Sequence, residues 1–324
     1  MNQSIPPEVM CPPPLKEDKQ TVVVCFSKQG LSHKQRGLPC QDYSKHITTM
    51  HGWHVVAIAD GVGSLRLSEK ASQCAVEAVC QFWSVFSGND EHESCMFSCI
   101  RASMNYALQK VAQLQDNLGS TLETTLHIAI LTNHSLYWGH CGDGGVFISL
   151  TNGDVKAITS PMIKKGHHVI PLSAGPSAWE CGYMDAKSIV SVMLATDGAY
   201  AFIMHMNDKN QRNSLLEQFM NPSILPSMSD DSYHPLAAHL KLTCQKELSS
   251  VEDDISLALI HLPDKKPATS NGQDQTKESQ EKELVSPPDK ASDALTEKQG
   301  HLLQGLQSWI SRLAGSVKLP WEGK

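Results

Sequence analysis

The chain has 324 residues, 40% of them apolar and 19% charged, enough to bury a full core and still carry an appendage. Its formal net charge is −7 and it holds no dense Lys/Arg block, which argues against a nucleic-acid groove or an anionic membrane face as partner. The 10 cysteines are scattered without a C-x-x-C pair, so reduced, mostly buried thiols are expected in place of a disulfide framework or a zinc ribbon.

Residues 1–19 are proline-rich and polar and are predicted to form a flexible arm. They lack a basic stretch followed by an apolar one, and no apolar run of about 18 residues occurs, so a soluble, cytoplasmic protein without membrane contact is expected. Short β-branched runs over 21–27 and 53–59 have strand character, and the spacing turns helical over 65–86 and 94–115. Runs at 124–132, 135–142, 145–158 and 189–198 are predicted as consecutive strands of an antiparallel meander, with a turn at Asn152–Gly153. Helical stretches near 211–220 and 234–248 follow, and 254–262 closes the core as a last strand. Strands run together and helices run together, which makes the class α+β and not a parallel βαβ sheet.

The core is therefore predicted over 20–263. Residues 264–298, rich in Ser, Lys, Glu, Gln, Asp and Pro, are expected to be a disordered linker. A short amphipathic helix over 299–314 places Leu303, Leu306, Ile310 and Leu313 on one face with Trp309 beside them, and a tail of 315–324 ends the chain. Arg312 is too little positive charge for a membrane-surface helix, so docking is expected, on the helix's own domain or on a partner protein.

The carboxylates carry the chemistry. Asp42 follows the first strand, Asp60 ends the second, Asp143 sits in "GHCGDGG", Asp197 ends "VMLATDG", and Asp253 and Asp254 open the last strand. A single Asp-Gly at a strand end is ordinary turn chemistry. Apolar segments precede Asp60 and Asp197, however, and place these acids at the rim of the core, where uncompensated charge is costly. Two carboxylates 4 Å apart repel by about 4 kcal/mol at an effective dielectric near 20, so a cluster of them needs cations. Oxygen ligands without His/Cys spacing favour Mg²⁺ or Mn²⁺ over zinc.

"QD" at 41–42, "AIADGVGS" followed by "SEKAS", "ETTL" at 123–126, "CGDGG" at 141–145, "LATDG" at 194–198 and "EDDISLALI" at 252–260 together resemble, in order, the motifs of the metal-dependent type 2C protein Ser/Thr phosphatases, most closely the small bacterial branch. The resemblance implies two face-to-face antiparallel sheets flanked by helices, with a two-metal site in the cleft at one edge. It implies that Asp60 bridges both metals, that the Gly61 carbonyl binds one, that Asp197 and Asp253 hold the first with support from Asp42, and that Asp143 recruits a looser third. In such proteins an Asn follows the last Asp; here Asp254 stands in its place, which leaves open which of Asp253 and Asp254 ligates. The implied reaction is hydrolysis of phosphoserine or phosphothreonine in a phosphoprotein by a water activated between two Mg²⁺ or Mn²⁺ ions. "GLSHKQRGLP" offers His33, Lys34 and Arg36 to neutralise the phosphate, and Arg36 is preferred because guanidinium grips phosphate with two donors.

The chain departs from the family in three places. Val62 stands where many members have His, so a general acid has to be water or another residue. Gly144 and Gly145 replace Ser-Arg after Asp143, and the usual Asp-His pair is missing between 150 and 190. A regulatory module of the same fold that binds a partner or a phosphopeptide, and a small-molecule phosphatase, are the alternatives to be tested. His33, His140, His167 and His168 lack metal-ligand spacing and are expected to be surface or hydrogen-bonded histidines, and Cys95 and Cys99 core residues.

Overall fold

The computed structural model describes residues 21–88, 93–164, 168–203 and 248–262, with Met220, Leu242 and Lys246. The predicted arm, linker, C-terminal helix and tail, His167, and most of the helical stretches near 211–220 and 234–248 lie outside the described residues.

Two antiparallel sheets dominate. One has the order β1-β12-β11-β6-β7, built from Val22–Lys28, Ile255–His261, Ile189–Ala195, Gly145–Leu150 and Val155–Ala157. The other has the order β10-β5-β4-β3-β2, built from Glu180–Asp185, Ser135–Cys141, Leu126–Leu131, His54–Asp60 and Asp42–Thr48. A small ribbon pairs β8 (Ile163–Lys164) with β9 (His168–Val169). The helices are α1 (Leu31–Arg36), α2 (Ser68–Ser84), α3 (Glu93–Leu118) and α4 (Asp197–Ile203).

Alternation along β3 explains the layering. Val56 and Ile58 point between the sheets and join Ala129, Val146, Ile148, Val192, Leu194, Ala258 and Ile260 in one apolar layer. Val55, Ala57 and Ala59 point the other way and pack with Ile128, Ala75, Val79, Phe82 and Met104 beneath α2 and α3. A third cluster, with Phe147, Met193, Leu257, Ala199, Met220 and Leu248, covers the far face of the first sheet. Strands buried on both faces read as near-continuous apolar runs, which is why β3, β4, β11 and β12 were plain in the sequence. Cys99 is buried in the helix-side layer with Cys95 packed against it, and no disulfide occurs among the described residues.

The expected meander over 124–198 is corrected. β4 and β5 lie in one sheet while β6, β7 and β11 lie in the other, so the chain crosses between sheets at Gly142–Gly144. Gly142 has φ 126°, a region glycine alone adopts freely, and a Cβ there would press into the Thr125 side chain. The strand predicted to 198 ends at Ala195, and Asp197 opens α4. Unpredicted were α1 and β8, β9 and two edge strands, β2 and β10. β2, "DYSKHIT", is half-buried and polar, and in β10 Gly182 makes room for the Trp138 ring, so neither carries an apolar run.

Candidate metal centre

The topology gathers the acids at one end of the sandwich. Asp42 starts β2 and Asp60 ends β3, directly opposite each other in the antiparallel ladder. Asp143 lies in the crossing between sheets, Asp197 follows β11, and Asp253 and Asp254 precede β12. Carboxylate oxygens of Asp60, Asp143 and Asp197 all lie within 4.8 Å of one another.

The motif residues around Asp60 hold its backbone. Thr125 Oγ1 accepts from the Asp60 N–H at 2.9 Å, and the Asp60 carbonyl accepts from the Thr124 hydroxyl and the Thr125 N–H, each at 2.8 Å. Gly61 follows in an isolated bridge to Thr124, and a Cβ there would overlap the Ser68 backbone. The Gln41 carbonyl accepts from the Gly61 N–H at 3.0 Å and the Ser72 hydroxyl at 2.5 Å, which fixes the start of β2 and so Asp42. Thr196 Oγ1, from the opposite sheet, donates to Asp42 Oδ2 at 2.5 Å and accepts from the Ser256 N–H at 2.7 Å.

The electrostatics are those of acids short of positive charge. Burial pushes Asp60 well above the usual carboxylate range, and the charges of Asp42, Asp197 and Asp143 push it further. Burial raises Asp42 in the same way, with the Thr196 bond opposing and the charges of Asp197 and Asp254 adding. Asp197 rises to about 7 through burial, then through Asp143 and Asp253. Asp143 is raised by burial, with Asp253 contributing. Asp42 Oδ1 and Asp143 Oδ1 are buried without a hydrogen-bond partner among the described residues. Buried acceptor oxygens of several acids converging without donors are what a hard divalent cation satisfies, so the donor set fits Mg²⁺ or Mn²⁺.

The remaining predicted residues separate. Asp253 is exposed, and its Oδ1 accepts the Asp254 N–H at 2.8 Å. Asp254 is buried, with both oxygens taken up by protein donors, His33 among them. Arg36 stands exposed in the last turn of α1, where its Nε donates to the Ser32 carbonyl at 3.2 Å. The Val62 N–H donates to the Glu123 carbonyl at 3.0 Å. His168 is exposed on β9.

Sequence reasoning missed Thr196 and His127, the buried partner of His140, which is hydrogen-bonded as expected. The ring nitrogens Nδ1 of these two histidines lie 2.7 Å apart, and His140 Nε2 lies 3.0 Å from the Ser160 carbonyl. That carbonyl only accepts, so a neutral His140 is protonated at Nε2 and takes the His127 Nδ1–H, which leaves His127 Nε2 bare and buried beside Gly144. Burial lowers both, His140 to about 4. Alternation along β4 and β5 could have paired the two; "LATDG" could have offered Thr196 as an acid's donor.

The protein phosphatase 2C family profile matches residues 29–241, and the chain belongs to that family. The match ends before Asp253 and Asp254. No curated protein sequence matches the chain significantly. Among solved structures, a bacterial serine phosphatase aligns over 74% of this chain and 97% of its own, with 12% identity and a TM-score of 0.54. The serine/threonine phosphatase Stp1 from Staphylococcus aureus aligns over 74% and 94%, with 11% identity and a TM-score of 0.54. The S. agalactiae serine/threonine phosphatase aligns over 75% and 99%, with 15% identity and a TM-score of 0.55. At such identities the likeness is one of fold.

Proposed function

We propose that this protein hydrolyses phosphoserine and phosphothreonine in proteins, with Asp60, Asp143, Asp197 and Asp253 holding divalent Mg²⁺ or Mn²⁺ and Asp42 completing the set. The observation that carries the reading is the mutual approach of Asp60, Asp143 and Asp197 together with the unpartnered buried oxygens of Asp42 and Asp143. When bound, a pair of such ions neutralises phosphate charge and acidifies a water for attack on phosphorus. The chain's own part is to fix the acids from both sheets in one cleft, to tie Asp60 through Thr124 and Thr125, and to offer Arg36 from α1 to the phosphate. Val62 brings no titratable group to the leaving oxygen, so its proton comes from solvent or another side chain.

Hydrolysis of p-nitrophenyl phosphate and of phosphopeptides, assayed with Mn²⁺, Mg²⁺ or EDTA, tests the proposal. Turnover of phosphopeptides that EDTA abolishes is expected. Activity confined to small phosphomonoesters would move the substrate class, and no turnover with either metal would leave a regulatory module.

A further inference from the structure

Three donors converge on Asp254, which is 2% exposed. The Gly30 N–H donates to Oδ1 at 2.7 Å, the Gln41 N–H donates to Oδ2 at 2.6 Å, and His33 Nδ1 lies 2.7 Å from that same Oδ2. The two backbone groups can only donate and a carboxylate can only accept, so His33 meets Asp254 through Nδ1–H. All three partners belong to the segment joining β1 to β2: Gly30 precedes α1, His33 lies on it and Gln41 precedes Asp42.

The same segment is bound a second time to the approach to β12. The Leu31 N–H donates to the Val251 carbonyl at 3.1 Å and the Ser32 N–H to the Glu252 carbonyl at 2.9 Å. A Cβ on Gly30 would overlap the Asp253 backbone, so the two segments lie in contact. The side chain of Asp254 is thus the common anchor for a segment that ends at Asp42 and for its own neighbour Asp253.

We propose that Asp254 and His33 are positioning residues: their buried pair fixes residues 30–42 against residues 251–254 and so sets where Asp42 and Asp253 present their oxygens to divalent cations. This rests on the reading of the acid cluster as a cation centre. It also accounts for an aspartate where the type 2C pattern has asparagine. An asparagine at 254 carries one acceptor and one donor group. With its oxygen placed toward Gln41 and His33, its amide faces the Gly30 N–H; flipped, it faces the Gln41 N–H. Either way a buried backbone N–H loses its acceptor.

The test is a calorimetric titration with Mn²⁺, alongside thermal melting of the cation-free protein, on wild type, His33→Asn, His33→Leu and Asp254→Asn. Asparagine at 33 keeps an N–H near the position of Nδ1; leucine does not. His33→Asn is expected to bind Mn²⁺ within about twofold of wild type, and His33→Leu and Asp254→Asn at least about tenfold more weakly, the scale on which lost support of ligands acts. Equal affinities for His33→Asn and His33→Leu overturn the proposal, and so does wild-type affinity in Asp254→Asn. Weak binding in Asp254→Asn with wild-type affinity in His33→Leu also overturns it, because Asp254 then does not act through its pair with His33. If Asp254→Asn does not fold, the two His33 variants decide alone. A wild-type protein that binds no Mn²⁺ overturns the cation reading itself, a result distinct from all of these.

Discussion

Asp42 and Asp60 are direct partners across the β2–β3 ladder, so two acids that the sequence separates by a whole hairpin face each other at the mouth of the sandwich. Directly opposed like charges weaken a sheet, and here burial deepens the penalty. The proposed cation centre gives the pair a use, because it takes oxygens from both carboxylates.

Asp60→Asn is therefore expected to cut phosphatase turnover to less than about a tenth of wild type while the cation-free protein melts no lower. Steady-state kinetics with Mn²⁺ and calorimetric melting with EDTA check both parts. Retained turnover would remove Asp60 from the cation centre.

The raised Asp197 gives the cation-free fold a pH dependence of definite sign. An acid raised to about 7 in the folded state holds a proton that the unfolded chain, with an aspartate pKa of about 3.9, has already lost. Its contribution to stability is full below that lower value and is lost as pH rises toward 7. Buried neutral His140 and His261, both lowered to about 4, act the opposite way on acidification, so wild type is best compared with Asp197→Asn, in which the histidines cancel. Without cations, wild type should lose melting temperature relative to Asp197→Asn between about pH 4 and pH 7, and saturating Mn²⁺ should reverse the trend. A constant difference across that range would count against the raised acid.

Thr196 joins the sheets by donating to Asp42 and accepting from Ser256. Thr196→Val leaves two buried polar groups without their partner and should cost about 1–3 kcal/mol in urea unfolding, with Thr196→Ser close to wild type. A tolerated valine would show that the hydroxyl does not hold Asp42.

Arg36 is exposed, and among the described residues its Nε is held by the Ser32 carbonyl of its own helix alone, which leaves the rest of the guanidinium to meet phosphate. Arg36→Ala should raise KM for a phosphopeptide more than it lowers kcat, because a phosphate clamp holds substrate and transition state alike. An unchanged KM would transfer the role to Lys34 or to none of these residues.

The legible part of this protein is what burial writes into the chain. Strands covered on both faces announce themselves as apolar runs, and the runs of β3 and β11 lead straight to Asp60 and Asp197. Edge strands such as β2 carry polar residues on their open side and left no such trace. Register was equally hidden: no local pattern says that Asp42 meets Asp60, or that the glycines beside Asp143 carry the chain from one sheet to the other. The difference between Asp253 and Asp254 was invisible for the same reason, because it depends on which neighbour finds Gly30, His33 and Gln41.

Asp60 rides on one sheet and Asp197 on the other, with Ile58, Ile148, Leu194 and Ala258 packed in the layer between. The cleft thus has the mechanics of a clasp, in which apolar packing supplies the closing force and like charge the opening one. Any substitution that lets the sheets slide against each other, however far from the acids, also changes the spacing of the jaws. If the acids hold cations as proposed, occupancy and sheet alignment become two readings of one degree of freedom.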